Sequence, residues 1–152
     1  MAEQTLHIRP FRAGDAERVA GIVRRCLLDV NSRDYPPEVI ARLCAYYTAG
    51  QFTKLAARRH IYVAETGTVC GTVSRDGNTV HAMFVSPGQI GQGIGRRLLQ
   101  HAEAQAAADG HAHMEAAATI TAHAFYLGLG YSDLRPDETS FGLTYLMRKP
   151  LR

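Results

Sequence analysis

Three glycines at alternate positions, Gly91, Gly93 and Gly95, stand in the run Val85-Ser-Pro-Gly-Gln-Ile-Gly-Gln-Gly-Ile-Gly-Arg-Arg-Leu-Leu99. An apolar strand-like segment precedes them and an amphipathic helical one follows. Glycine has no side chain to keep a ligand off the backbone. A helix starting here turns its unpaired N–H groups, and the positive end of its dipole, toward the loop. The spacing predicts an anion site for a phosphate or pyrophosphate. The alternative is a tight structural loop, which the backbone entropy of so many glycines makes the less economical reading. The Walker loop requires a lysine that is absent here, and the dinucleotide fingerprint requires glycine where Arg96 stands. Arg96 and Arg97 fall in the first helical turn, where either could face a phosphate; Arg97 reads equally well as a solvated surface residue.

Proton transfer needs a group that titrates near neutrality, and His81 lies on the strand that feeds the loop. Period-2 alternation places it on the face of Met83 and Val85. Glu65, at the end of a neighbouring strand, could act through a water molecule. A lone strand histidine is also commonly just a satisfied polar group, so both readings stay open. His101, His111, His113 and His123 invite a metal reading, but no cysteine or carboxylate sits at ligand spacing, and no metal is expected.

The 152 residues fit one domain, 1–152, long enough to bury a core without disulfides. A charged fraction of 20% and a net charge of +3 belong to an ordinary globule, and the arginines come in isolated pairs. Without an aromatic platform, nucleic acid is not an expected partner. No apolar run approaches the roughly 20 residues of a membrane helix. The first residues lack a leader's basic start and apolar core. Cys26, Cys44 and Cys70 are odd in number and widely spaced, which suits a reducing cytoplasm.

Periodicity predicts a strand at Leu6–Pro10 and a helix carrying Val19, Ile22, Val23, Cys26, Leu27 and Val30. A polar loop, 31–37, leads to a second helix that frays near Gly50. Three antiparallel strands follow, 60–65, 69–74 and 79–85, joined by Thr66-Gly-Thr68 and Asp76-Gly-Asn78. Beyond the glycine loop come a helix ending at Gly110, a strand at 114–118, a short helix at 122–129 and two last strands, around Tyr131 and at 141–149. Helical crossovers imply some parallel pairing, hence a mixed α/β sheet.

Val85-Ser-Pro87, Gly91-Gln-Gly-Ile-Gly95 and Leu98-Leu99 resemble the acetyl-CoA loop of the GNAT acyltransferases. Ala122-His-Ala-Phe125-Tyr126-Leu-Gly-Leu-Gly130-Tyr131 is similar to that family's second signature, and the element order matches along nearly the whole chain. The resemblance implies an α+β fold: a mixed, mostly antiparallel central sheet of six to seven strands, flanked by about four helices. It implies acetyl-CoA as co-substrate, its pyrophosphate on the amides of Gly91, Gln92, Gly93, Ile94, Gly95 and Arg96. The pantetheine arm would pair with backbone at Phe84 and Val85, where two strands splay apart, and pass Thr121, where many relatives carry asparagine. Ile90 stands where the family usually has Arg or Gln, leaving the cradle to main-chain amides. Tyr126 is implied as the acid that protonates the leaving thiolate, with His81 or Glu65 as candidate bases.

The implied reaction is acetyl transfer to a primary amine by direct attack in a ternary complex, on a small molecule. Alternatives are a protein lysine or N-terminal amine acetyltransferase, and a non-catalytic CoA-binding module. The loops 31–37 and 133–140 would meet the acceptor, with Asp34, Tyr35, Asp137 and Glu138 able to attract a cation. An exposed last strand, Phe141 to Met147, could pair across a homodimer.

Overall fold

Apolar–polar alternation builds most of one sheet, and helical stripes cover both of its faces. A computed structural model describes residues 5–151. The first four residues, part of the segment expected not to form a leader, lie outside them. The described chain runs β1 (His7–Pro10), α1 (Ala16–Asp29), α2 (Pro37–Tyr46), α3 (Ala49–Ala56), β2 (His60–Thr66), β3 (Thr68–Asp76) and β4 (Thr79–Val85). It continues with α4 (Ile94–Ala108), β5 (His113–Thr119), α5 (His123–Gly128), β6 (Ser132–Thr139) and β7 (Gly142–Pro150). The strand order is β1-β2-β3-β4-β5-β7-β6. Every neighbouring pair is antiparallel except β4–β5. The expected mixed, mostly antiparallel sheet is thus present with seven strands.

Five helices flank it among the described residues, against the four or so anticipated. The additional one is α3. Tyr47 leaves the helical region at ψ 65°, ending α2. Thr48 then starts α3 by accepting a hydrogen bond from the Gln51 N–H at 3.2 Å. Gly50 therefore lies in a first turn rather than at a frayed end.

The α1 stripe packs with Phe52 of α3 and Val63 of β2 on one face of the sheet. Leu98 and Leu99 of α4 pack with Met114 and Met147 on the other. Each such buried side chain contributes about 1.5–3 kcal/mol of transfer free energy. Residues 133–139, expected as part of a loop, belong to β6 instead. Asp, Pro and Glu are poor strand formers, but ladder pairing with β7 outweighs that. Pro136 is tolerated because β6 is an edge. β7 itself has β5 and β6 on its two sides, so it cannot extend the sheet of a second copy as the expected dimer contact requires. Among the described residues no helix is long and apolar enough to cross a membrane.

Candidate active site

The site begins where two strands part. β4 and β5 are paired only through Thr79–Glu115 and Val80–Ala116. Beyond that point β4 stays with β3 as far as Val85, and β5 stays with β7 as far as Thr119. A bulge lies at the divergence: between the pairs Ser74–His81 and Thr72–Phe84, β3 advances two residues and β4 three. Ala82 absorbs the extra residue at φ 49°, a conformation uncommon for a residue with a side chain.

The bulge also changes the phase of β4. Val80, Met83 and Val85 pack with the α4 cluster, whereas Ala82 and Phe84 pack with the α1–α3 cluster. His81, adjacent to Val80, thus faces the α1–α3 side, opposite Met83 and Val85. The common face expected for these three residues is corrected, because strict alternation does not survive an inserted residue. A cavity of about 490 Å³ fills the opening, and His81, Phe84, Val85, Tyr126 and Thr121 all line it.

The three glycines divide into two kinds. Gly91 and Gly93 have left-handed φ values of 90° and 82°, and a Cβ built on either would meet nothing within 4 Å. Their backbone is bent and open to a ligand. A Cβ on Gly95 would instead lie 3.2 Å from Met83 and 3.3 Å from Phe125. Gly95 lets the first turn of α4 settle onto β4 and α5, which brings the loop, the strand opening and Tyr126 together. Arg97 N–H bonds back to the Gly93 carbonyl, so the N–H groups of Ile94, Gly95 and Arg96 form the free N-terminal turn of α4. Gln92 and Arg96 are exposed, whereas the Ile94 side chain is buried in the core, leaving only its amide for a ligand. Arg97 donates to the Leu6 carbonyl at 3.3 Å, away from the loop. Ile90 is 55% exposed and puts an apolar side chain on the cavity wall.

Tyr126 is held edge-on between Phe125 and Tyr131, at centroid separations of 5.4 and 5.2 Å. Tyr131 donates to Glu103 at 2.7 Å, and Lys149 donates to the same carboxylate at 3.1 Å. Arg9 Nε is the one fully buried side-chain polar atom without a partner among the described residues. The Tyr126 hydroxyl, which bonds to no described residue, therefore retains some accessible surface, and Tyr126 is part of the cavity wall. Burial, then Tyr47, then Glu103 push its pKa above the usual 10. It stays protonated across the working pH range. Burial, followed by the Arg59 charge, lowers the His81 pKa from 6.5, so its imidazole is neutral and free to accept a proton at neutral pH.

Other expected residues are placed differently. Glu65 accepts from Arg9 at 2.9 Å; β3 separates its strand from β4, and it does not line the cavity. Thr121 lines the rim and donates to Asp34 at 2.7 Å, which occupies the carboxylate expected to attract an amine. Tyr35 is buried; it donates to the Leu143 carbonyl at 2.6 Å and accepts from the Ile120 N–H at 2.9 Å, stapling the first loop to β7 and the end of β5. Asp137 does line the cavity, whereas Glu138 is exposed outside it. The histidines raised as metal ligands form no such cluster among the described residues.

Sequence reasoning missed Tyr47 and Cys26. Tyr47 looks like an ordinary member of a helical stripe, yet it lines the cavity with its pKa pushed up to about 12 by burial. Cys26 reaches the Val85 carbonyl at 3.0 Å, and burial raises its pKa to about 11, which keeps the thiol protonated.

A family model described as an acetyltransferase (GNAT) domain matches residues 57–133, half of the chain, spanning both the glycine loop and Tyr126. The protein belongs to the GNAT acetyltransferases. Solved structures share the fold of this GNAT domain. An N-acetyltransferase from Rhodopseudomonas palustris is 22% identical, with a TM-score of 0.91 over 99% of both chains. The PaiA N-acetyltransferase from Thermoplasma acidophilum, solved with coenzyme A, is 17% identical, with a TM-score of 0.83 over 96% of this chain and 99% of that one. The yncA protein of Salmonella typhimurium, solved with acetyl-CoA, is 24% identical, with a TM-score of 0.64 over 97% of this chain and 94% of its own. Among curated proteins, no sequence gives a significant match.

Proposed function

We propose that this GNAT domain moves an acetyl group from acetyl-CoA to the primary amine of a small molecule, by direct attack within a ternary complex. The observation that carries this reading is one cavity lined by the open end of β4 and by Tyr126, with Ile90, the residue just before the glycine loop and α4, on its wall. Two structural neighbours were solved with CoA or acetyl-CoA, and the residues here suit such a ligand. The left-handed Gly91 and Gly93 leave room for a pyrophosphate, and the amides of Gly91 to Arg96, with the dipole of α4, attract its charge. At Phe84 and Val85 β4 pairs with β3 on one side only, and the side without a β5 partner offers a strand-like edge to the pantetheine arm.

Acetyl-CoA supplies the activated thioester and leaves as a thiol. The C–N bond forms as the C–S bond breaks; Tyr126 gives its proton to the departing sulfur, and His81 accepts one from the attacking nitrogen. No covalent acyl-enzyme is needed, and the protonated Cys26 is a poor nucleophile. The test is thiol release from acetyl-CoA across a panel of amines. Turnover with at least one small amine is expected. Tight CoA binding with no turnover on any amine would instead favour a CoA-binding module, and turnover on peptides alone would favour a protein acetyltransferase.

A further inference from the structure

Asn31 opens the short 3₁₀ turn after α1 and is only 5% exposed. Its side-chain amide bonds to no described residue, yet neither of its polar atoms is fully sealed from solvent, and the residue lines the cavity. Part of the small surface it retains is therefore polar, on a residue of the cavity wall. A buried amide kept without a protein partner is unfavourable unless a ligand or water completes it. Its surroundings are specific. Leu27, Val30, Leu43, Tyr47 and Phe141 form apolar and aromatic walls, and Tyr47 is fixed by a stacked Phe52 at 5.6 Å and an edge-on Phe84 at 5.8 Å. Asp137 is the one carboxylate among the lining residues, it forms no ion pair with a described residue, and no lysine or arginine joins it there. Neutral His81 adds no charge.

We propose that Asn31 is a specificity-determining residue for the acceptor: the substrate class is a cationic amine on a ring-sized apolar body, bearing one hydroxyl or amide oxygen that Asn31 bonds, and no carboxylate. The amine's charge is drawn by Asp137, the body fills the space beside Tyr47, and an acidic acceptor is rejected because no cation is present to meet it. A site that hydrogen-bonds a substrate hydroxyl discriminates against the analogue lacking it, because its own polar group is then left unpaired. The proposal rests on the acyl-transfer role of the same cavity.

Calorimetric titration of tyramine, 2-phenylethylamine, tyrosine and spermidine into the protein, with and without CoA, tests the subsite separately from the chemistry. Tyramine is expected to bind at least about tenfold more tightly than 2-phenylethylamine, with tyrosine and spermidine weaker than both. Asn31→Leu is expected to bring the first two to equal affinity, with Asn31→Ala as a second variant and CoA affinity as the check on folding. Equal binding of tyramine and 2-phenylethylamine by the unaltered protein overturns the proposal, as does a preference for tyrosine or spermidine. Tyramine binding without thiol release from acetyl-CoA would uphold the subsite and sink the transfer reading. Thiol release with amines that ignore the Asn31 substitution would do the reverse.

Discussion

Replacing Gly93 by aspartate and, separately, by asparagine isolates charge from shape in the glycine loop. A Cβ at position 93, on a backbone at φ 82°, meets no atom within 4 Å. The two side chains share one shape, and each carries the same left-handed conformational cost of about 1–2 kcal/mol, which Asn and Asp tolerate better than other residues. For a domain of this length that lowers the Tm by about 2–8 °C, equally in the two variants. They differ only in the formal charge placed at the N-terminus of α4. A like-charge contact at about 4 Å costs roughly 1 kcal/mol in water and roughly 4 kcal/mol at a protein surface. The aspartate variant should therefore bind CoA about 5-fold to 1000-fold more weakly than the asparagine variant. Since part of this penalty is screened, the gap should shrink as salt is raised. Calorimetric titration of CoA at two ionic strengths reads both effects. Equal affinities for the two variants would mean that no phosphate passes Gly93, and the loop would revert to a structural turn.

Tyr35→Phe removes a hydroxyl that joins the Ile120 N–H to the Leu143 carbonyl, so denaturant unfolding should show a loss of about 1–3 kcal/mol; an unchanged midpoint would remove the staple from the account. The Arg9 hydrogen bonds depress the Asp15 pKa below 3.8. That stabilisation is present above 3.8 and is lost as pH falls through the lower folded-state value. The Tm gap between the unaltered protein and Asp15→Asn should accordingly be full at neutral pH and close in acid, and a gap independent of pH would contradict this. With its pKa below 6.5, His81 as the proton acceptor should give kcat/KM an acid limb beneath that value. His81→Gln should lower the plateau and abolish the limb; an identical profile would release His81 from the role.

What could be read from the residues was mainly local. The glycine run and the Phe125-Tyr126 pair act through backbone conformation and short spacing, so they are visible in sequence and stand together in the fold. The bulge at Ala82 was not visible, because nothing in alanine announces a left-handed φ; pairing of β3 and β4 imposes it, and with it the true face of His81. Glu65 was misplaced for a related reason: its position along β2 was right, but Arg9 of β1 claims the carboxylate. Thr48-Ala-Gly-Gln51 did carry a readable signal, the spacing of a capping box, for the helix that went unpredicted. Asn31 and Tyr47 gain meaning only when α1 and α2 pack on the sheet. Until then they are a loop residue and one more aromatic on a stripe.

Tyr126→Phe tests the central claim most directly. The substitution keeps a ring that is 4% exposed and removes a hydroxyl with no described protein partner, so the fold and CoA affinity should hold, the latter within about twofold. If Tyr126 delivers the proton to the leaving sulfur, kcat for thiol release should fall by about 100-fold to 10,000-fold at unchanged CoA affinity. A kcat equal to that of the unaltered protein would show that this hydroxyl takes no part in the chemistry.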